Sequence, residues 1–211
     1  MLLNFHKSIE VFFRVHDKKM ISKFKRVIFK SILFITLMMI FPLAAWSSSE
    51  AENAYQRGDY KTAFVLFSER AQKGDLRAMN FLAVMYDNGT GTAQDDKSAV
   101  HWYRMAAEQG NVYAQYNLGY MYDSGTGVTQ NSKEAMRWYR KAAEQGHALA
   151  QYSLGIIYDF GIVVTRDYKE ALRWLLMAAQ QGQVESQASL GEYYEYGKGV
   201  KPDFSRAIFW Y

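Results

Sequence analysis

The sequence contains no cysteine. That absence excludes a disulfide framework, a thiolate metal site and a lipid-modified amino-terminal cysteine. The fold must then rest on its apolar core alone, and apolar residues make up 49% of the chain. A charge excess of one sign is also missing from most of the length. Residues 1–30 hold eight Lys/Arg against Glu10 and Asp17, while the remainder holds 17 Lys/Arg and 19 Asp/Glu, so the pI near 9.0 belongs to the leader. A near-neutral body lacks the basic face that nucleic acid requires, and no nucleic-acid partner is expected. Two-residue alternation is not sustained anywhere after residue 50, so strands are not expected.

Catalytic signatures are missing as well. No serine–histidine or cysteine nucleophile arrangement is legible. His101 and His147 have no second histidine at metal spacing and read as surface residues, so no metal or cofactor is expected. Gly125-x-Gly127 lacks the Lys-Ser/Thr and the strand–helix context of a phosphate loop. Glu192 and Glu195 share a helix face, but nothing nearby supplies an enclosed site or a raised pKa.

What the leader does contain is an uncharged run of 15 residues, Ile32 to Trp46, after Lys30. As a helix it spans about 22 Å, short of the ~30 Å hydrocarbon core. Pro42 and the small residues after it fit the end of a signal peptide, with cleavage after Ala45 or Ser47. The stretch before the run is too long for an ordinary n-region, and initiation at Met20 would give a normal basic start. Residues 1–48 therefore read as a basic region plus signal peptide, and the product as exported, periplasmic or secreted. The competing reading anchors the chain in the inner membrane through residues 32–46, its only expected membrane contact.

The body is periodic. Trp102, Trp138, Trp174 and Trp210 stand 36 residues apart, as do Gly74, Gly110, Gly146 and Gly182, and Gly89, Gly125, Gly161 and Gly197. A fixed period of this size means stacked supersecondary units, none of which buries its apolar face alone. In the unit from Asn111 to Gly146, Ala114, Leu118, Gly119 and Tyr122 form a stripe with helical period. Gly119, in register with Ala83, Gly155 and Gly191, sits inside that helix at a cost of about 1 kcal/mol, which implies close approach of a neighbour. Ser124-Gly-Thr-Gly-Val ends it. A second helix starts at an Asn131 or Ser132 cap and carries Ala135, Trp138, Tyr139, Ala142 and Ala143 to Gly146. Two helices and a short loop, repeated, make an all-α solenoid.

The units read as a half-repeat at 49–75, with Phe67 where tryptophan would stand, then repeats at 76–110, 111–146 and 147–182. A last unit at 183–211 stops before its expected Ala-Ala-x-x-Gly ending. The pattern Ala114-Gln115-Tyr116-x-Leu118-Gly119-x-x-Tyr122-x-x-Gly125-x-Gly127-Val128, then Ala135-x-x-Trp138-Tyr139-x-x-Ala142-Ala143-x-x-Gly146, resembles the Sel-1-like repeat, a relative of the tetratricopeptide repeat. Val163, Ala83 and Leu175 depart from it. The resemblance implies an α-α superhelix and a non-catalytic adaptor for a protein or peptide partner.

By analogy with tetratricopeptide arrays, the first helix of each unit lines the concave side. In register this selects Arg77, Asn80, Val84 and Asp87; Tyr113, Tyr116, Tyr120 and Asp123; Leu149, Tyr152, Ile156 and Asp159; and Glu185, Glu192, Glu195 and Tyr196. Tyrosine is enriched at interfaces, and the acidic residues favour a Lys- or Arg-bearing partner. Two alternatives come from other classes. One is an enzyme acting on cell-wall or β-lactam compounds, linked to cysteine-rich relatives that carry a disulfide per repeat. The other is a self-associating fragment of a longer array, docking through Phe209, Trp210 and Tyr211. The oligomeric state is not legible.

The repeated aromatics and alanines are assigned to the core. Replacement of Trp138 by alanine is therefore expected to cost about 3–5 kcal/mol. A melting temperature displaced by no more than a degree or two would contradict the assignment.

Overall fold

The computed structural model describes residues 50–211. The signal-peptide and anchor readings of residues 1–48 lie outside the described residues. The chain divides into two units at residue 52, and the repeats occupy the second, Asn53–Tyr211. Among the described residues there is no strand.

After a helical stretch at 50–56, the helices are α1 (Tyr60–Gln72), α2 (Leu76–Asn88), α3 (Asp96–Glu108), α4 (Val112–Ser124), α5 (Ser132–Glu144), α6 (Ala148–Phe160), α7 (Tyr168–Gln180), α8 (Val184–Tyr196) and α9 (Phe204–Trp210). The even-numbered helices open the repeats and the odd-numbered ones close them. Each packs chiefly on its neighbours in the chain, which makes a tandem α-solenoid.

Their boundaries have local causes. Asp59, Asp75, Asp95, Asn111, Asn131, His147, Asp167, Gln183 and Asp203 each cap a helix by accepting a backbone N–H with the side chain. The opening helices stop where Gly89, Gly125, Gly161 and Gly197 take left-handed φ of 65–76°. The cap of α5 is Asn131, not Ser132.

Packing follows large against small. A Cβ on Gly119 would stand 2.7 Å from the Tyr139 ring, and one on Gly155 would stand 2.7 Å from Leu175. The glycine predicted to admit a neighbour therefore admits the closing helix of its own repeat. Phe67 is fully buried and stacks on Phe81 at 4.8 Å. It lies in register with Tyr103, so the tryptophan line falls on Leu66; the expectation for Phe67 was off by one residue.

Successive repeats are tied by side-chain amides. The buried Gln115 and Gln151 donate to the carbonyls of Ala107 and Ala143 at the preceding helix ends, both at 3.1 Å. Each accepts in turn from Gln145 or Gln181, at 2.7 and 2.8 Å. Arginine adds a second tie, from Arg104 to the Tyr122 hydroxyl at 3.0 Å and from Arg140 to the Tyr158 hydroxyl at 2.6 Å.

The third repeat departs where its sequence does. Val163 replaces the second loop glycine yet keeps a left-handed φ of 59°. A β-branched residue is strained there, at a cost of about 1–3 kcal/mol. Replacement of Val163 by glycine should raise unfolding stability by about 1–2 kcal/mol. Urea titration checks this, and an unchanged or lowered midpoint would count against the strain.

Candidate functional site

The residues assigned to the concave face all lie on the opening helices α2, α4, α6 and α8. Tyr113, Tyr120 and Tyr196 are 62%, 54% and 67% exposed. Arg77, Asp123, Leu149, Glu185 and Glu192 are exposed too. Asn80, Val84, Asp87, Tyr116, Tyr152, Ile156, Asp159 and Glu195 are half-buried. The period of 36 residues alone brings all of them but Tyr196 into rows, because each repeat presents the same helical positions.

Some of these residues do converge. Arg77, Asn80 and Tyr113 line an open depression of about 590 Å³ with Phe81 and Asn111. Asn117 donates to the Asn80 side chain at 3.3 Å, and Asn111 to the Leu76 carbonyl at 3.3 Å, so α2 and α4 are joined along its floor. A smaller depression of about 170 Å³ gathers Asp123, Tyr152 and Ile156 with Ser132, Tyr139, Ser153, Ile157 and Ile162.

Other assigned residues turn to structural partners. Asp87 accepts from the Tyr103 hydroxyl at 3.4 Å, and Glu195 from the Tyr211 hydroxyl at 2.7 Å. Burial, with Asp96 nearby, raises the Asp87 carboxyl above its ordinary range. Its hydrogen bond to Glu195 pushes the Tyr211 phenol up to about 12. Burial, with Asp123 second, pushes the Tyr139 phenol up. In the third repeat Leu175 stands where this tyrosine would be. Tyr193 enters the same apolar cluster from the next repeat, its phenol raised by burial and by Asp159. Tyr116 packs on Tyr139 at 5.7 Å, so it is partly a core residue.

His147 is not simply a surface residue. It is half-buried, stacks on Tyr116 at 4.7 Å and meets Tyr113 edge-on at 5.6 Å. Its Nδ1 accepts from the Ala150 backbone N–H at 3.3 Å, capping α6. The signal was in the sequence: Asp75, Asn111 and Gln183 hold the same slot, and all carry side-chain acceptors. Ile162 and Asn117, also at the face, carry no comparable signal.

Among the described residues no group of three or more His, Asp or Glu side chains is placed to hold a metal ion. The face offers phenols, side-chain amides and carboxylates spread over several helices, which suits contact with another chain.

The Sel1 repeat model matches residues 76–111, 112–147, 148–183 and 184–211. The fold is similar to that of a Sel1 repeat protein from Oxalobacter formigenes, at 38% identity over 78% of this chain, with a TM-score of 0.74. It is similar also to c5321, a protective antigen present in uropathogenic Escherichia coli strains and displaying an SLR fold, at 32% identity over 80% of this chain, with a TM-score of 0.74. This chain spans 65% of the first protein and 38% of the second. No curated protein matches.

The His147 cap has a pH signature. Burial lowers the pKa of the imidazole, so the folded state disfavours the cation and keeps Nδ1 free to accept. The unfolded chain takes up its proton first, near pH about 6.5. The cap's contribution is thus complete above that pH and declines as pH falls toward the lower folded-state value. Replacement of His147 by asparagine, the residue at 111, retains an acceptor and should flatten that decline. Equal pH slopes for wild type and variant between pH 7 and 5 (roughly the histidine window) would refute it.

Proposed function

The chain belongs to the Sel1 repeat family, and from that premise we propose that it is an exported, non-catalytic scaffold that holds a protein or peptide partner on its outward helix face. Sel1 repeat proteins commonly mediate protein–protein interaction. One observation carries the reading for this chain: the exposed Tyr113 and Tyr120 of α4 and Tyr196 of α8 stand on opening helices whose buried sides already satisfy the core. Tyrosine supplies large amphipathic contact area with few rotatable bonds, the economy expected of an interface. Neither depression is enclosed, and neither sets a histidine base beside a hydroxyl, so the surface favours binding over turnover.

Export rests on the apolar run Ile32–Trp46 behind its basic leader. A matured chain beginning at residue 46 or 48 in the envelope fraction supports it. A chain retaining residues 32–46 in the inner membrane would establish the anchored alternative instead.

The partner face is tested by affinity capture from envelope extract. Wild type is compared with a folded variant carrying Tyr113→Ala, Tyr120→Ala and Tyr152→Ala. The expected outcome is loss of the specific partner from the variant's prey at unchanged melting temperature. Identical prey would remove the tyrosine face from consideration.

A further inference from the structure

Resting on that reading, we propose that the junction of the second and third repeats recognises an extended peptide segment bearing an aliphatic or aromatic side chain beside a lysine or arginine. The depression there is lined by Tyr139, Tyr152, Ile156, Ile157 and Ile162, with Asp123 among them. At about 170 Å³ it lies below the ~300–1,000 Å³ of small-molecule pockets. It accommodates a single side chain of a longer ligand.

Only at this junction are two aliphatic side chains supplied together by these helix and loop positions. Residues in register with Ile156 are Val84, Tyr120 and Glu192, and those in register with Ile162 are Thr90, Thr126 and Lys198. The repeat therefore folds without isoleucine at either position. The loop beside it exposes Phe160, Ile162 and Val163 at 63%, 41% and 39%, where the second repeat has Ser124, Thr126 and Gly127. Exposed apolar side chains gathered on one loop next to an apolar depression mark a contact surface. Val163 is also the one non-glycine residue of positive φ among the described residues. Strain of that kind collects at binding sites, where the surrounding structure holds a loop in a set shape.

Asp123 decides the class of ligand. Its side chain is exposed and accepts no hydrogen bond and forms no ion pair among the described residues, although it borders an apolar surface. A carboxylate in that setting pairs with a Lys ammonium or Arg guanidinium through a charge-assisted hydrogen bond, while the neighbouring isoleucines take the apolar side chain. The next opening helix contributes Glu185, Glu192 and Glu195 and no cation of its own, with Lys198 of the following loop paired to Glu192. Charge complementarity over both helices thus disfavours an acidic partner.

The test is selection of displayed random dodecapeptides on the purified protein, with dissociation constants of enriched peptides measured by fluorescence anisotropy. Enriched sequences should pair Leu, Ile or Phe with Lys or Arg a few residues away. Asp123→Asn should weaken binding about tenfold, and Ile156→Ser with Ile162→Ser should weaken it at least as much. Asp123→Lys should shift the selection toward Asp- and Glu-bearing peptides. An empty selection, peptides without this pairing, or unchanged binding to Asp123→Asn and Ile156→Ser at wild-type melting temperature would overturn the site. Dependence on Tyr113 and Tyr120 alone would sink this junction and retain the wider face, whereas indifference to all five positions would sink both.

Discussion

The ring of Tyr139 lies where a side chain on residue 119 would have to be. Helix interiors disfavour glycine by about 1 kcal/mol, so Gly119 persists because the two helices of the repeat close on each other there. Gly155 against Leu175 and Gly191 against Tyr211 repeat the arrangement. Interhelical distance then fixes which residues are covered. With the closing helix seated on positions 118 and 119, the opposite side of α4, with Tyr113 and Tyr120, is left in solvent. Exposure of the candidate face is a consequence of that closure.

Closure tolerates local exchange provided the volume is supplied from elsewhere. Leu175 removes a phenol from the third repeat. Tyr193 fills the same cluster with Ala171, Ala179 and Leu190, where the earlier repeats have Met85, Met121 and Ile157. The aromatic mass has moved one repeat along the chain. The interior remains filled, as dense packing demands. Val163 differs in kind, because no neighbour relieves a left-handed β-branched residue.

The fold was legible because it is written four times. A single stripe such as Ala114, Leu118 and Tyr122 is weak evidence for a helix, but the same stripe at a constant step is strong. Caps and loop glycines were legible too, since they answer to backbone geometry. The Gln115 and Gln151 ties were not, although both residues recur at the repeat period. A periodic glutamine reads as polar surface until the facing carbonyl is seen. The cap at His147 could be read from its register with Asp75, Asn111 and Gln183, but its stacking on Tyr116, a contact between repeats, could not. Asp87 and Glu195 were chosen as face residues from register, and register does not show that a tyrosine of the same repeat reaches each of them.

Charge argues further for the opening helices as the working side. Several cations on the closing helices are already engaged: Arg137 and Lys141 lie over the Trp138 ring at 4.7 and 4.4 Å, and Arg173 over Trp174 at 4.3 Å. Arg137 and Arg173 also pair with Glu134 and Glu170. Their stems roof the buried indoles, so these charges serve the fold first. A partner drawn to these arginines would have to break such contacts or accept charges already neutralised. On the opening helices the balance is reversed, with Asp123 unpaired, Glu192 held only by Lys198 at 3.4 Å, and tyrosines projecting between them. The free Asp123 carboxylate beside amphipathic rings requires no rearrangement before contact, and preorganisation of that kind favours association.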